Sequence, residues 1–199
     1  MLNASLSTRC CDEPAATPPP QALRLSIYGP SDPGRAEVEA FISRVFAERF
    51  DARISEFAPT LVGLCDAQLG LVAAAGYRSA ETGPLFLERY LSGPVEGLLP
   101  EQAGRTAARR RIVEVGHLAA ARSGEGRRLV RLLAPHLAGQ GFDWVVSTLT
   151  EELRQLFLRI GVTPLALGAA DPRLIGSAAE AWGRYYEHAP VVLAGNLPQ

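Results

Sequence analysis

The sequence predicts a single α/β domain: a mixed central sheet flanked by helices, with a parallel strand pair at its centre. Three observations carry that expectation. The chain has 199 residues, 47% hydrophobic and 21% charged, enough for one sizeable core. Strand-like and helix-like segments alternate through its second half, as they do where helical crossovers join parallel strands. The third observation is the stretch Arg111–Thr150, which reads as strand, glycine loop, helix, strand. A strand that turns through glycines into a helix leaves backbone N–H groups aimed at one spot. Those groups and the helix dipole favour an anion there, typically a phosphate.

Taken in order, residues 1–20 mix Ser, Thr, Ala and Pro and end in three prolines, the composition of a disordered tail ahead of a domain spanning 21–199. Leu23–Tyr28 alternates apolar and polar residues and reads as a half-buried strand. Asp32 suits an N-cap and Pro33 a first helical position. Val38, Phe41, Ile42, Val45, Phe46 and Phe50 then recur at the spacing of a core-facing helix. Leu61–Cys65 and Leu69–Tyr77 form a hairpin signal around Asp66-Ala67-Gln68. The second run is rich in Ala and Gly, which implies a close-packed neighbour. Pro84–Leu91 reads as a helix start that Gly93-Pro94 interrupts. In the central unit, Arg111–Leu118 is β-branched and apolar, Leu129, Leu132, Leu133 and Leu137 mark a helix, and Phe142–Leu149 is a second apolar strand. Glu151–Ile160 follows as a helix closed by Gly161 and Pro164. Thr163–Leu167 reads as a strand, Ser177–Glu187 as a short helix and Pro190–Ala194 as a last strand.

The net charge of −1 gives no global pull toward nucleic acid or anionic lipid. Arginines nevertheless cluster. Eight of them, against Glu114 and Glu125, lie between Arg105 and Arg131, and the chain has no lysine. Guanidinium groups favour bidentate contacts to phosphate or carboxylate. Cys10, Cys11 and Cys65 are too few and too unevenly placed for a disulfide framework or a zinc site. The N-terminal residues lack the apolar core of a secretory signal. The longest low-polarity run, Leu69–Tyr77, is far short of the ~20 residues that span a bilayer. The expectation is a soluble cytoplasmic protein without a metal or a membrane span.

Several residues stand out chemically, each with a plain structural alternative. The Arg122–Arg127 loop, with Gly124, Gly126 and Arg127, either cradles a pyrophosphate or is a tight turn. Glu114 and His117 sit on a strand expected to be buried, where a carboxylate needs a partner or a raised pKa. Strict alternation would place them on opposite faces, and a bulge at Gly116 would bring them to one face. They are then an acid/base pair; otherwise they are a structural ion pair and a hydrogen-bonded core histidine. Tyr185, beside Tyr186 and Trp182, is either core or a catalytic phenol. Phe86, Tyr90 and the small residues of Leu71–Gly76 either wall an apolar slot or are simply core.

Several motifs carry a family resemblance. They are Ala75-Gly76-Tyr77-Arg78, Leu85-Phe86-Leu87-Glu88-Arg89-Tyr90-Leu91, Ile112-Val113-Glu114-Val115-Gly116-His117-Leu118-Ala119, Ala170-Asp171-Pro172, Trp182-Gly183-Arg184-Tyr185-Tyr186 and Pro190–Gly195. From about residue 23 onward the chain resembles the thermostable hemolysin family, within the GNAT-like acyl-CoA N-acyltransferase superfamily. That resemblance implies a GNAT-like fold in which a bulged central strand, a glycine loop and the next helix bind an acyl thioester. Val115, Gly116 and Leu118 would then line the thioester, and Arg122, Gly124, Gly126 and Arg127 the phosphates. The chain departs from the pattern in places. The resembling family usually has Asn where this chain has His117. The superfamily loop opens on Gln or Arg, where this chain has Ala121 with Arg122 one place later. The position of the usual tyrosine acid falls on Phe157. A more distant likeness is to acyl-homoserine-lactone synthases, whose E-x-x-R ends at His117 here.

What the resemblance implies is transfer of an acyl group from acyl-CoA or an acyl-carrier-protein thioester to a small amine. Backbone N–H groups at Val115–Gly116 would polarise the carbonyl. Glu114 or His117 would take the proton, and the basic stretch Arg105–Arg131 is a surface for an acidic carrier protein. The alternatives are a membrane-lytic hemolysin, as the family name suggests, and a catalytically inactive binding module. The sequence argues against lysis, since it has no strongly basic amphipathic helix.

Overall fold

The computed structural model of the protein describes residues 23–101 and 104–197; the expected tail, residues 1–20, lies outside them. The strands are β1 (Arg24–Tyr28), β2 (Thr60–Asp66), β3 (Gly70–Ser79), β4 (Ile112–Ala120), β5 (Trp144–Leu149), β6 (Leu165–Ala169) and β7 (Val191–Asn196). They form one sheet in the order β1-β2-β3-β4-β5-β7-β6. The helices are α1 (Arg35–Phe50), α2 (Glu125–Gly139) and α3 (Glu151–Arg159). Only β4 and β5 run parallel, at the centre as expected; every other pairing is antiparallel.

The first half follows its sequence signals closely. Helix α1 buries the expected Val38, Phe41, Ile42, Val45, Phe46 and Phe50. It starts at Arg35, later than Pro33, because Asp32 closes a turn of its own. The Asp32 carboxylate accepts Gly34 N–H at 3.0 Å and its carbonyl accepts Arg35 N–H at 3.0 Å. In the β2–β3 hairpin, Asp66 Oδ1 accepts Gln68 N–H at 2.8 Å and Leu69 N–H at 3.1 Å. Gly70 supplies the left-handed residue, φ 72°.

Two expected helices are different structures. Pro84–Leu91 yields only a 3₁₀ turn over Phe86–Tyr90, with another at Val95–Gly97. Side chains rather than a helical ladder fold this stretch. Glu88 accepts Leu85 N–H at 2.7 Å and Val95 N–H at 2.9 Å, while Arg109 binds Glu88 at 2.8 Å, Glu96 at 2.5 Å and the Ala80 carbonyl at 2.8 Å. The expected helix Ser177–Glu187 is two 3₁₀ segments, Pro172–Trp182, itself broken at the non-helical Gly176 (φ 58°), and Tyr185–His188. Gly183 separates them at φ 52°, packed so tightly that a Cβ would stand 2.3 Å from the Phe50 carbonyl oxygen. Hydrogen bonds from Arg53 N–H to the Ala181 carbonyl and from Arg184 N–H to the Phe50 carbonyl, each 2.6 Å, strap this segment to the end of α1.

The sheet is covered on both faces. Leu129, Leu133 and Leu137 of α2 close over Val62, Leu64, Val72, Ala73, Ala75, Val113 and Val115. On the other face α1 packs on Leu61, Ala74 and Ala119, with Tyr185 in the same cluster. Each fully buried Leu or Val is worth ~1.5–3 kcal/mol, so α2 is held mainly by its leucine stripe. No helix among the described residues is long and apolar enough to cross a membrane.

Candidate active site

The site begins where the central parallel pair ends. Strand β4 pairs with β5 only at Ile112–Trp144, Val113–Val145 and Glu114–Val146, although β4 runs on to Ala120 and β5 to Leu149. From Val115 onward the β4 edge facing β5 has no strand partner, so its polar groups there are open to a ligand. On its other side β4 is bulged. Ala74 pairs with Ala119 and Gly76 with Gly116, so His117 and Leu118 together oppose Ala75. The expected bulge therefore exists, but the residue that bends is His117, with φ 53°, while Gly116 keeps its register. The bulge reverses the alternation of the strand. His117 joins Glu114 on the α1 face, and Leu118 packs on the α2 side. A left-handed conformation is uncommon for a residue other than glycine, and Asn adopts it more readily than most.

Divergence and bulge leave a cavity of about 400 Å³ between α1, the β4–β5 gap and the 172–188 strap. Its wall is mostly apolar, with an aromatic cluster of Phe46, Phe50, Phe57, Phe86, Trp182 and Tyr185. The His117 ring lies parallel to Trp182, 12° between planes with centroids 6.4 Å apart, and tilted against Phe57 at 5.6 Å. Gly76 makes room for it: a Cβ there would come within 2.9 Å of Ala58 Cβ and 3.3 Å of His117 Nδ1. This is the close packing that the small residues of β3 announce.

Glu114 lines the cavity, and both its carboxylate oxygens are engaged, one accepting Phe86 N–H and the other Leu87 N–H, each at 2.9 Å. Its carboxylate anchors the start of the 86–90 turn, as an acid does at a helix N-terminus. Burial pushes its pKa above the usual carboxylate range, and the two backbone hydrogen bonds and Arg78 oppose that rise without cancelling it. His117 moves the other way. Burial, then the nearby Arg78 charge, push its pKa down to about 4, a hydrogen bond with the Glu56 backbone opposing. The ring is neutral at pH 7, and its buried Nδ1 has no hydrogen-bond partner among the described residues. Tyr185 donates to the Thr148 carbonyl at 3.1 Å, and burial raises its pKa, so the phenol holds its proton. Tyr90 and Tyr186 share a 2.6 Å hydrogen bond beside it.

The structure thus brings Glu114, Val115, Gly116, His117, Leu118 and Tyr185 to one cavity. Arg122, Gly124, Gly126 and Arg127 lie outside its lining, on the exposed turn from β4 into α2. There Gly124 is left-handed at φ 91°, and the first i−4 bond of α2 runs from Arg128 N–H to the Gly124 carbonyl at 3.2 Å. The Gly126 and Arg127 amides precede that bond and lack helical acceptors. Glu125, in the same turn, buries an unpartnered Oε2. Phe157 is not part of the cavity wall. Arg78, which does line it, escapes sequence reasoning because its pairing with Glu114 across β3 and β4 is a tertiary fact. The wall phenylalanines of α1, Phe46 and Phe50, read as plain core for the same reason, and Phe57, in the connection after α1, falls in no periodic segment. Among the described residues no cluster of three or more His, Cys, Asp or Glu side chains is arranged to hold a metal.

A splayed central parallel pair, a bulged β4 and a glycine turn into α2 define the class: this is a GNAT-like acyltransferase fold. Solved structures share it. An N-acyl amino acid synthase from uncultured soil microbes, FeeM, is similar at 15% identity over 90% of this chain and 92% of that one, with a TM-score of 0.61. The AHL synthase LasI is similar at 14% identity over 90% and 92%, TM-score 0.60. The CoA-dependent acyl-homoserine lactone synthase MesI gives 13% identity over 88% and 89%, TM-score 0.56. The family model described as thermostable hemolysin matches residues 28–199, and the chain belongs to that family. No curated protein matches the chain significantly.

Proposed function

We propose that the protein transfers an acyl group from an acyl-CoA or acyl-carrier-protein thioester to an amine. The observation that carries this reading is the unpaired β4 edge beside an apolar cavity of about 400 Å³. The thioester carbonyl sits at Val115–Gly116, where backbone N–H groups stabilise the developing oxyanion. The acyl chain enters the aromatic cavity past Leu118, and the donor's phosphates lie along Arg122, Gly124, Gly126 and Arg127. The amine nitrogen attacks the carbonyl carbon, a C–N bond forms, the C–S bond breaks and the thiolate leaves. Glu114, whose raised pKa makes it a better base than the acid-shifted His117, takes the proton that the nitrogen loses. Glu114 then passes that proton to the thiolate and is restored as the base, while Tyr185, whose phenol donates to the Thr148 carbonyl, lines the same cavity. His117 shapes the site through its ring and its bent backbone.

A carrier protein is the second donor this surface suits. Arg109 and Arg111 are tied up by Glu88, Glu96 and Asp143, but Arg105, Arg110, Arg122, Arg127, Arg128 and Arg131 remain exposed. Acidic partners are drawn to such a stretch.

The test is a thermal shift. Coenzyme A and acyl-CoAs raise the melting temperature, by ~2.7 kcal/mol of stabilisation at a hundredfold excess over Kd. Gly126→Asp abolishes the shift, because a carboxylate then stands where phosphate belongs. That variant folds, since a Cβ at Gly126 meets only Ala120 Cβ at an ordinary 3.7 Å. No shift with coenzyme A, several acyl-CoAs and an acyl-carrier protein counts against the reading. Lysis of erythrocytes by the purified protein, without thioester or amine, favours a lytic protein instead.

A further inference from the structure

We propose, building on the acyl-transfer reading, that the amine acceptor is an amino acid whose carboxylate is held by Arg78. The main cavity continues into a groove of about 350 Å³ lined by Glu56, Arg78, Phe86, Glu88 and Arg89 among others. Glu56, Arg78, Phe86 and Arg89 belong to both spaces, so they mark the junction.

Arg78 stands opposite Glu114 on the adjacent strand, which puts both side chains on one face. The Glu114 oxygens are occupied by Phe86 and Leu87 N–H, so Arg78 acts on that carboxylate through space and makes no hydrogen bond or ion pair among the described residues. A half-buried guanidinium without an acceptor is a site waiting for one, and its planar fork matches a carboxylate. Arg89, whose guanidinium lies 4.9 Å above the Phe86 ring, adds positive charge at the same junction.

The carboxylates nearby divide by their partners. Glu88 is consumed by Arg109 and two backbone N–H groups, whereas the Glu56 side chain is exposed and makes no hydrogen bond or ion pair among the described residues. An unpaired guanidinium with an unpaired carboxylate complements a molecule bearing both an amine and a carboxylate. Arg78 is also too far from the glycine turn to serve the donor's phosphates. Glu114, its partner, precedes the end of β4 at Ala120 by six residues, about 20 Å of strand. Transfer then yields an N-acyl amino acid: the amine nitrogen gains the acyl group and loses one proton, and the thiolate gains one.

The experiment compares two product probes that differ by the carboxylate alone, N-decanoyl-leucine and N-decanoyl-3-methylbutylamine, by calorimetry on the full chain. Decanoic acid and decanoyl-CoA are the other two arms. The expected result is at least tenfold tighter binding of N-decanoyl-leucine than of its neutral counterpart. Arg78→Gln erases that difference, Arg78→Lys keeps part of it, and both variants bind decanoyl-CoA within a few-fold of wild type. Equal binding of the two products by wild type, or a difference that survives in Arg78→Gln, overturns the inference alone. Decanoic acid binding as tightly as N-decanoyl-leucine, with the same dependence on Arg78, reassigns the arginine to a free acyl acid and also overturns it. If neither decanoyl-CoA nor any product binds, the acyl-transfer reading falls and the inference with it.

Discussion

The two faces of the sheet use the same strands for opposite ends. On the α2 face Leu129, Leu133 and Leu137 meet Val62, Leu64, Val113 and Val115, a dry aliphatic core. On the α1 face the same β4 presents Glu114, Gly116 and His117 to an open space ringed by aromatic side chains. The α2 face needs no special backbone. The α1 face carries a left-handed His117, an unpaired strand edge, a buried carboxylate and a strap whose Gly183 touches the Phe50 carbonyl. Strained or polar features of this kind cost stability and persist where the surrounding packing fixes them. One bulged residue makes the difference: without it His117 and Ala119 would point at α2, and the cavity would lose its floor.

That contrast can be broken from either side. The largest expected effect is on the α1 face. Glu114→Gln lowers turnover by the ~10²–10⁴-fold typical of a lost general base, about 2.7–5.5 kcal/mol. Because Gln also loses one acceptor for the 86–87 amides, the pH–rate profile is the deciding measurement. Wild type shows a limb rising through a pKa above the usual carboxylate range, and the variant lacks it. Turnover within a few-fold of wild type with that limb intact would remove Glu114 as the base.

Next in size is Leu133→Ala on the α2 face, which opens a hole in the aliphatic core and costs ~2–5 kcal/mol in denaturant unfolding. It leaves the coenzyme A shift in place, since Leu133 lies about two helical turns beyond the Gly124–Gly126 turn that would hold the phosphates. Loss of ligand binding at unchanged fold would show that the two faces are not independent.

A comparable effect comes from pH. The folded-state pKa of His117 is below its ordinary 6.5, at about 4. Its contribution to stability is therefore complete above pH 6.5 and is lost as pH falls through 4, by about 3 kcal/mol. Glu114 runs the opposite way: its raised pKa adds stability at low pH that is lost as pH rises through the folded value. Melting curves of wild type and His117→Asn across this range separate the two, because the Asn variant lacks the His117 loss. Parallel acid profiles for both proteins would place the histidine charge outside the buried site.

The smallest expected effect is His117→Asn on turnover at neutral pH, a few-fold at most. Asn tolerates the left-handed backbone and keeps hydrogen-bonding capacity. An inactive His117→Asn beside an active Glu114→Gln would exchange the roles of the two residues.

Much of this was legible in the chain. The 3, 4, 7, 8 spacing of α1 and the leucines of α2 name their buried faces, because helical periodicity is a local property that packing only ratifies. Asp66 and Gly70 fix the hairpin through chemistry inside a few residues. Gly124 marks the turn into α2 because the conformation required there is one that only glycine adopts freely. The candidate site was legible in outline for the same reason: Glu114 and His117 are odd residues on an apolar strand.

Tertiary structure decided the rest. Which residue of β4 bulges depends on its register against β3, a partner more than thirty residues away in sequence. The insertion of β7 between β5 and β6 leaves no local trace. Side-chain hydrogen bonds to Glu88 and Arg109 turn a helical pattern at Pro84–Leu91 into 3₁₀ turns, since long-range polar contacts outweigh the ~1 kcal/mol scale of propensity. The cavity draws its wall from α1, the connection after it, the 86–90 turn and the 172–188 strap, and a space between such distant segments has no period to read. Composition and spacing therefore determine which elements form and which faces they bury. Only the packed chain decides where backbone and side chains are held apart, and that gap is where Arg78 meets Glu114.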